Sequence, residues 1–266
     1  GCVPLPDGRV GLEVPYPAAS SGGKNHSVEI RTDGSVNCWG RNNLGQLGDG
    51  SNSNRNAPVS VKLGTNTTAV AISAGTDFTC AITNSGAVKC WGFNGYGNLG
   101  DGTTNDSNTP VEVSHSTGMR AVAISTPGYG VCALFENGSI NCWGQSHTVS
   151  SLNGPVTNGS IHTDIPACRT AVSIDGTSDH MCAILDNGSI NCWGVNTYGQ
   201  WGDGTCSSVI ASSGCTGENS NTPVFTSLNS GSTAIAISAG TDSTCALLDD
   251  YSLPCWGTQS GEVGGP

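Results

Sequence analysis

The stretch Ala69–Val113 reads AVAISAGTDFTCAITNSGAVKCWGFNGYGNLGDGTTNDSNTPVEV. Its close, Cys90-Trp91-Gly92, recurs at Cys38-Trp39-Gly40, Cys142-Trp143-Gly144, Cys192-Trp193-Gly194 and Cys255-Trp256-Gly257. Successive copies are 52, 52, 50 and 63 residues apart, so the chain is an array of one supersecondary unit. The unit holds four short segments rich in β-branched and apolar residues: Val70–Ser73, Thr79–Ile82, Ala87–Trp91 and Pro110–Val113. Gly and Asn turns separate them and no helical periodicity appears, which predicts antiparallel strands, four to a unit.

The pattern ISAG...TCAI...G.V.CWG.N.YG.LGDG...TPV.V resembles the repeat of the regulator of chromosome condensation (RCC1-type) family. The resemblance covers nearly the whole chain and implies an all-β fold, a β-propeller of four-stranded antiparallel blades. Such a fold carries exchange factors, secreted inhibitors and plain interaction domains, so it implies architecture more than activity. The predicted units lie at about 18–62, 69–113, 121–165, 171–228 and 234–266 in a single repeat domain. The last lacks a Pro-Val-x-Val segment, and Val10–Val14 resembles the missing piece, so an N-terminal strand 10–14 is expected to close a ring of five blades. Members of the family more usually have seven.

The 13 cysteines have a placement that hairpins explain. Cys80 and Cys90, Cys132 and Cys142, Cys182 and Cys192, and Cys245 and Cys255 are each ten apart. They flank turns such as Asn84-Ser85-Gly86, Glu136-Asn137-Gly138 and Asp186-Asn187-Gly188, whose glycines are expected to be left-handed. Each pair then falls directly opposite across two strands, within reach of a disulfide. Tyr251 stands at the glycine position of the last hairpin, where a distorted turn is expected. Val28 replaces the partner of Cys38. Cys206 and Cys215 flank an insertion and are expected to pair, leaving Cys2, Cys38 and Cys168 as an odd set. No Cys-x-x-Cys occurs, and no metal site is expected.

Only 11% of residues are charged and the net charge is -11, which argues against nucleic acid and anionic membrane as partners. No apolar run is long enough to span a bilayer. The opening GCVPLPDG has neither a charged start nor an apolar run, and reads as a mature chain. Disulfide spacing places that chain outside the cell or on its surface. The five histidines, at 26, 115, 147, 162 and 180, fall at unrelated phases, and no catalytic motif is present, so neither an enzyme nor a cofactor is expected.

Three residues carry the expectation of binding. The irregular third unit brings His147 and His162, and Trp201 replaces the leucine of Leu47 and Leu99 and is expected at the surface. The sequons at Asn25, Asn66, Asn105, Asn137, Asn158 and Asn187 are candidate glycan sites. The Asp-Gly turns at Asp49, Asp101 and Asp203 suit turn capping better than calcium, since the alternating acids of a calcium loop are missing. The repeated tryptophans suit packing between blades better than a ligand platform. The sequence therefore reads as a secreted or cell-surface interaction module for protein or glycan, without chemistry of its own. The alternative is a structural subunit of an extracellular filament, in which strand 10–14 completes the last blade of the next copy and Cys2 locks the two.

Overall fold

The computed structural model describes residues 19–114, 118–145, 161–162, 169–204, 220–226 and 232–257. They form β-strands without an α-helix, grouped into five antiparallel sheets. The first sheet is β1 (Ser20–Gly22), β2 (His26–Ile30), β3 (Val36–Gly40) and β4 (Arg55–Ser60) in sequence order. The second is β5 (Ala69–Ala74), β6 (Phe78–Thr83), β7 (Val88–Gly92) and β8 (Ser107–Glu112). The third has β9 (Ala121–Ser125), β10 (Tyr129–Phe135), β11 (Ile140–Gln145) and a two-residue β12 (Ile161–His162). The fourth is β13 (Ala171–Gly176), β14 (His180–Leu185), β15 (Ile190–Gly194) and β16 (Ser220–Phe225). The fifth holds β17 (Ala234–Ala239), β18 (Ser243–Leu248) and β19 (Cys255–Gly257). Meandering blades of this kind are those of a β-propeller. The expected strand 10–14 lies outside the described residues.

The middle hairpin of each blade is fixed by its turn. In the second blade Ile82 pairs with Val88, and Asn84-Ser85-Gly86 forms the predicted three-residue loop with Gly86 at φ 83°. A non-glycine residue there loses about 1–2 kcal/mol. Gly138 and Gly188 are left-handed too, at 79° and 75°. The expected distortion at Tyr251 does not occur. Tyr251 accepts the left-handed conformation at φ 65°, and its amide donates to Leu248 as that of Gly86 donates to Thr83. The turn hydrogen bonds, with the Leu248 amide donating to Ser252 as that of Thr83 donates to Ala87, hold an ill-suited residue in the inherited shape although the ladder beside it ends at Cys245–Cys255.

Cys80–Cys90, Cys132–Cys142, Cys182–Cys192 and Cys245–Cys255 are disulfides across directly opposed positions, with Cα atoms 4.0–4.1 Å apart. Val28 stands opposite Cys38, as read from the sequence, and of the odd set Cys38 is a buried free thiol. Cys2, Cys168, Cys206 and Cys215 lie outside the described residues.

Four hydrophobic cores lie between successive blades, each drawing residues from both neighbours. Blades also interlock through backbone. The amides of Ala69, Ala121, Ala171 and Ala234 donate to the carbonyls of Gly34, Gly86, Gly138 and Gly188, the turn glycines of the preceding blades. Every residue of β6 and β14 is buried, because another blade covers each face. In β2 and β18 burial alternates residue by residue, so the first and fifth blades each bury one face only. Among the described residues no core joins the fifth sheet to the first.

Candidate binding face

The loops at one end of the blades are built by a repeated asparagine. Asn42, Asn94 and Asn196 accept, through Oδ1, the amides of Leu47, Leu99 and Trp201 at 2.9–3.0 Å. The Asp-Gly turns behave as caps. Asp49 accepts from the amide and hydroxyl of Ser51 and from Nε and Nη2 of Arg55. Asp101 accepts from the amide and hydroxyl of Thr103. Among the described residues no group of three acidic, His or Cys side chains could hold a metal ion.

Trp201 is a correction. It is 4% exposed, and it fills the core between the fourth and fifth blades where Leu47 and Leu99 fill earlier ones. A larger ring at a leucine position was accommodated inward, since the hydrophobic wedge is common to all units. His162 lies on β12, opposite Asn141. His147 lies outside the described residues, and His162 and Trp201 belong to different blades. Asn25, Asn66, Asn105, Asn137 and Asn187 are exposed, and Asn158 lies outside the described residues.

A different group on the loop end does converge. Phe93 follows β7, Tyr96 stands in the loop after it, and Tyr129 opens β10 in the next blade. Their ring centroids are 5.3–5.5 Å apart with interplanar angles of 60–74°, the edge-to-face geometry that aromatic quadrupoles favour. All three rings are half-buried, so each keeps part of its surface to solvent. Beside them the carboxylate of Asp77, 9% exposed, accepts from the Tyr129 hydroxyl at 3.3 Å and from the Gln46 amide at 3.4 Å. Burial and the neighbouring Asp77 carboxylate push the Tyr129 phenol above its ordinary pKa. Asn25, Asp77, Tyr129, Asp179 and Asp242 hold the same place, three residues before Val28, Cys80, Cys132, Cys182 and Cys245, so Tyr129 is the aromatic departure at a polar position. That comparison of units was the signal in the sequence that would have found the cluster.

Two histidines tie blades together rather than act. His26 Nε2 meets the Thr79 hydroxyl of the next blade at 2.9 Å, and His180 Nε2 meets that of Thr244 at 2.6 Å. Each threonine donates to a carbonyl, of Gln46 or Gln200, and so accepts from the imidazole N–H. Burial lowers both histidine pKa values to about 4.

Comparison with known proteins agrees with this architecture. The Regulator of chromosome condensation (RCC1) repeat matches residues 33–82, 85–134 and 187–247, more than half of the chain. The ultraviolet-B receptor UVR8 of Arabidopsis thaliana is 32% identical over 127 residues, 47% of this chain and 29% of that protein. Human HERC3, a probable E3 ubiquitin-protein ligase, is 32% identical over 51% of this chain and 14% of its own length. The chain thus spans less than a third of these curated relatives. Among solved structures, human WBSCR16 superposes with a TM-score of 0.75 at 20% identity, over 90% of this chain and 61% of that one. Yeast RCC1 (Prp20), solved bound to Kap60, gives 0.75 at 20% over 91% and 56%. At such identity these likenesses speak to fold alone.

Proposed function

The chain belongs to the regulator of chromosome condensation repeat family, and we propose that it is an extracellular or cell-surface interaction module, without enzymatic activity, that binds protein or glycan through its Phe93–Tyr96–Tyr129 face. The observation that carries this reading is the cluster itself: three half-buried rings from two blades meet on a loop end held rigid by the repeat. Partly exposed aromatic groups on a fixed scaffold give contact area at small cost in conformational entropy. Yeast RCC1 (Prp20), which shares this fold, is solved bound to Kap60, and this supports protein as the ligand class. Four hairpin disulfides support an oxidising compartment. This chain matches 14% of HERC3, so the ligase activity named for that protein is not carried over.

The test is to probe glycan and peptide arrays with the wild type and with a Phe93→Ala/Tyr96→Ala variant whose circular dichroism is unchanged. Ligands bound by the first and lost by the second are expected. Equal binding by both would move the function to another face.

A second reading, a subunit of a surface assembly, is favoured by the faces of the first and fifth blades that are buried on one side only. Deleting residues 1–14 separates the cases in gel filtration. An assembly that falls into folded monomers on deletion supports strand exchange between copies, and a monomer before and after removes it.

A further inference from the structure

Asp77 is nearly buried, and a carboxylate taken out of water needs a cation or several strong donors to offset the loss of hydration. It has one amide and one phenol, at 3.4 and 3.3 Å. The ion pairs among the described residues are Arg55–Asp49 and Arg169–Asp186, and Asp77 is in neither. Nearby His26 does not supply the charge, because its pKa of about 4 leaves it neutral at ordinary pH. The Tyr129 hydroxyl donates to the carboxylate, which sends electron density into the ring and strengthens the attraction of its face for a cation. Phe93 and Tyr96 add two more rings within 5.5 Å. Apolar rings beside an under-neutralised carboxylate suit a ligand that is apolar along its length and cationic at its tip. Net charge of -11 draws such a ligand in.

We infer that the Phe93–Tyr96–Tyr129 cluster takes a lysine or arginine side chain of a partner polypeptide, the stem lying on the rings and the head group pairing with Asp77. This rests on the reading of the loop end as the binding face, and names what it recognises. Arg41, exposed and near enough for its charge to act on Tyr129, opposes an incoming cation.

The experiment is calorimetric titration at about 0.15 M salt, where long-range attraction is screened. The probes are an acetylated pentapeptide with two arginines, its glutamate counterpart and a neutral oligosaccharide. Asp77→Asn should weaken the arginine peptide about tenfold and Phe93→Ala about fivefold, while Arg41→Ala should tighten it about twofold or more. Glu112→Gln removes the same charge from an exposed site on β8 and should change nothing. Phe93→Ala and Arg41→Ala alter part-exposed or exposed positions, so the prediction stays testable if Asp77→Asn does not fold. Equal effects of Asp77→Asn and Glu112→Gln would overturn the inference, as would weaker binding by Arg41→Ala or silence from the arginine peptide. Phe93-dependent binding of the glutamate peptide or the oligosaccharide would overturn it too, while leaving the loop end as the binding face.

Discussion

The indole nitrogen of Trp91 donates to the backbone carbonyl of Gln46, forty-five residues earlier and in the preceding blade, at 3.0 Å. Trp143 does the same to Asn98 at 3.1 Å and Trp256 to Gln200 at 2.7 Å. In these three units the tryptophan is therefore a polar anchor as well as a wedge, whereas the Trp193 indole N–H finds no partner among the described residues. Trp91→Phe keeps most of the wedge and removes the anchor, and should lower stability by about 1–2 kcal/mol. Trp39 heads the first unit and is only half-buried, so Trp39→Phe should cost less than half as much. Chemical denaturation of the two variants makes the comparison, and equal losses would refute a role for the preceding blade.

Acid should unfold the protein through two imidazoles. His26 and His180 have native pKa values of about 4 against 6.5 in the unfolded chain. Below pH 6.5 the unfolded state takes up protons that the native state refuses, so stability is full above that pH and falls until about pH 4, where the native histidines also protonate. Each contributes a loss of up to about 3 kcal/mol. A urea midpoint measured from pH 7 to 4 should show the decline, and replacing both histidines by glutamine should flatten it. An unchanged slope in the double variant would assign the acid sensitivity to other groups.

Tyr251→Gly should stabilise. The residue sits at φ 65° with its side chain 84% exposed, so the substitution relieves a left-handed strain and removes almost no packing. A gain of about 0.5–1 kcal/mol is expected, the glycine entropy cost included. Gly86→Val should do the reverse, by more than about 1 kcal/mol, because an added Cβ would also stand 2.6 Å from that of Arg120. Thermal melts of both variants decide it, and a lower melting point for Tyr251→Gly would count against the strain.

Thiol chemistry should divide the cysteines. Mass mapping without reductant is expected to recover 80–90, 132–142, 182–192 and 245–255. Each link should be worth about 2–3 kcal/mol, chiefly by restricting the unfolded chain. Cys38 has no solvent exposure and burial drives its thiol well above the usual cysteine range, so iodoacetamide should leave it untouched until the protein unfolds. Rapid alkylation of the native protein at Cys38 would contradict its placement.

Blade composition was legible because turn glycines, cysteine spacing and the tryptophan recur in phase: the strand read as Thr79–Ile82 is β6, one residue longer at each end. The left-handed turn at Gly86 was legible for the same local reason. Tyr251 was misjudged because local preference was set against the turn hydrogen bonds, and those bonds prevailed. Trp201 was misjudged because a departure from the repeat was taken for a departure from its burial. The aromatic cluster was missed for a geometric reason. Phe93 and Tyr129 are brought together by the stacking of two blades, and periodicity emphasises what units share, whereas this cluster lies where they differ.

Because Trp91 and Trp143 reach back to the preceding blade while Gly86 and Gly138 offer their carbonyls forward, the second and third units each carry both the plug and the socket of a common joint. Tandem copying of such a unit would therefore leave its joints made, and a lineage of such chains can change its number of units by unequal recombination without passing through an unfoldable intermediate. Order is less free than number. His26 meets Thr79 and His180 meets Thr244, whereas the corresponding residue of the third unit is Val131. A shuffled array that set His26 against Val131 would bury an imidazole N–H with no acceptor, so these two pairs restrict which unit can follow a histidine-bearing one.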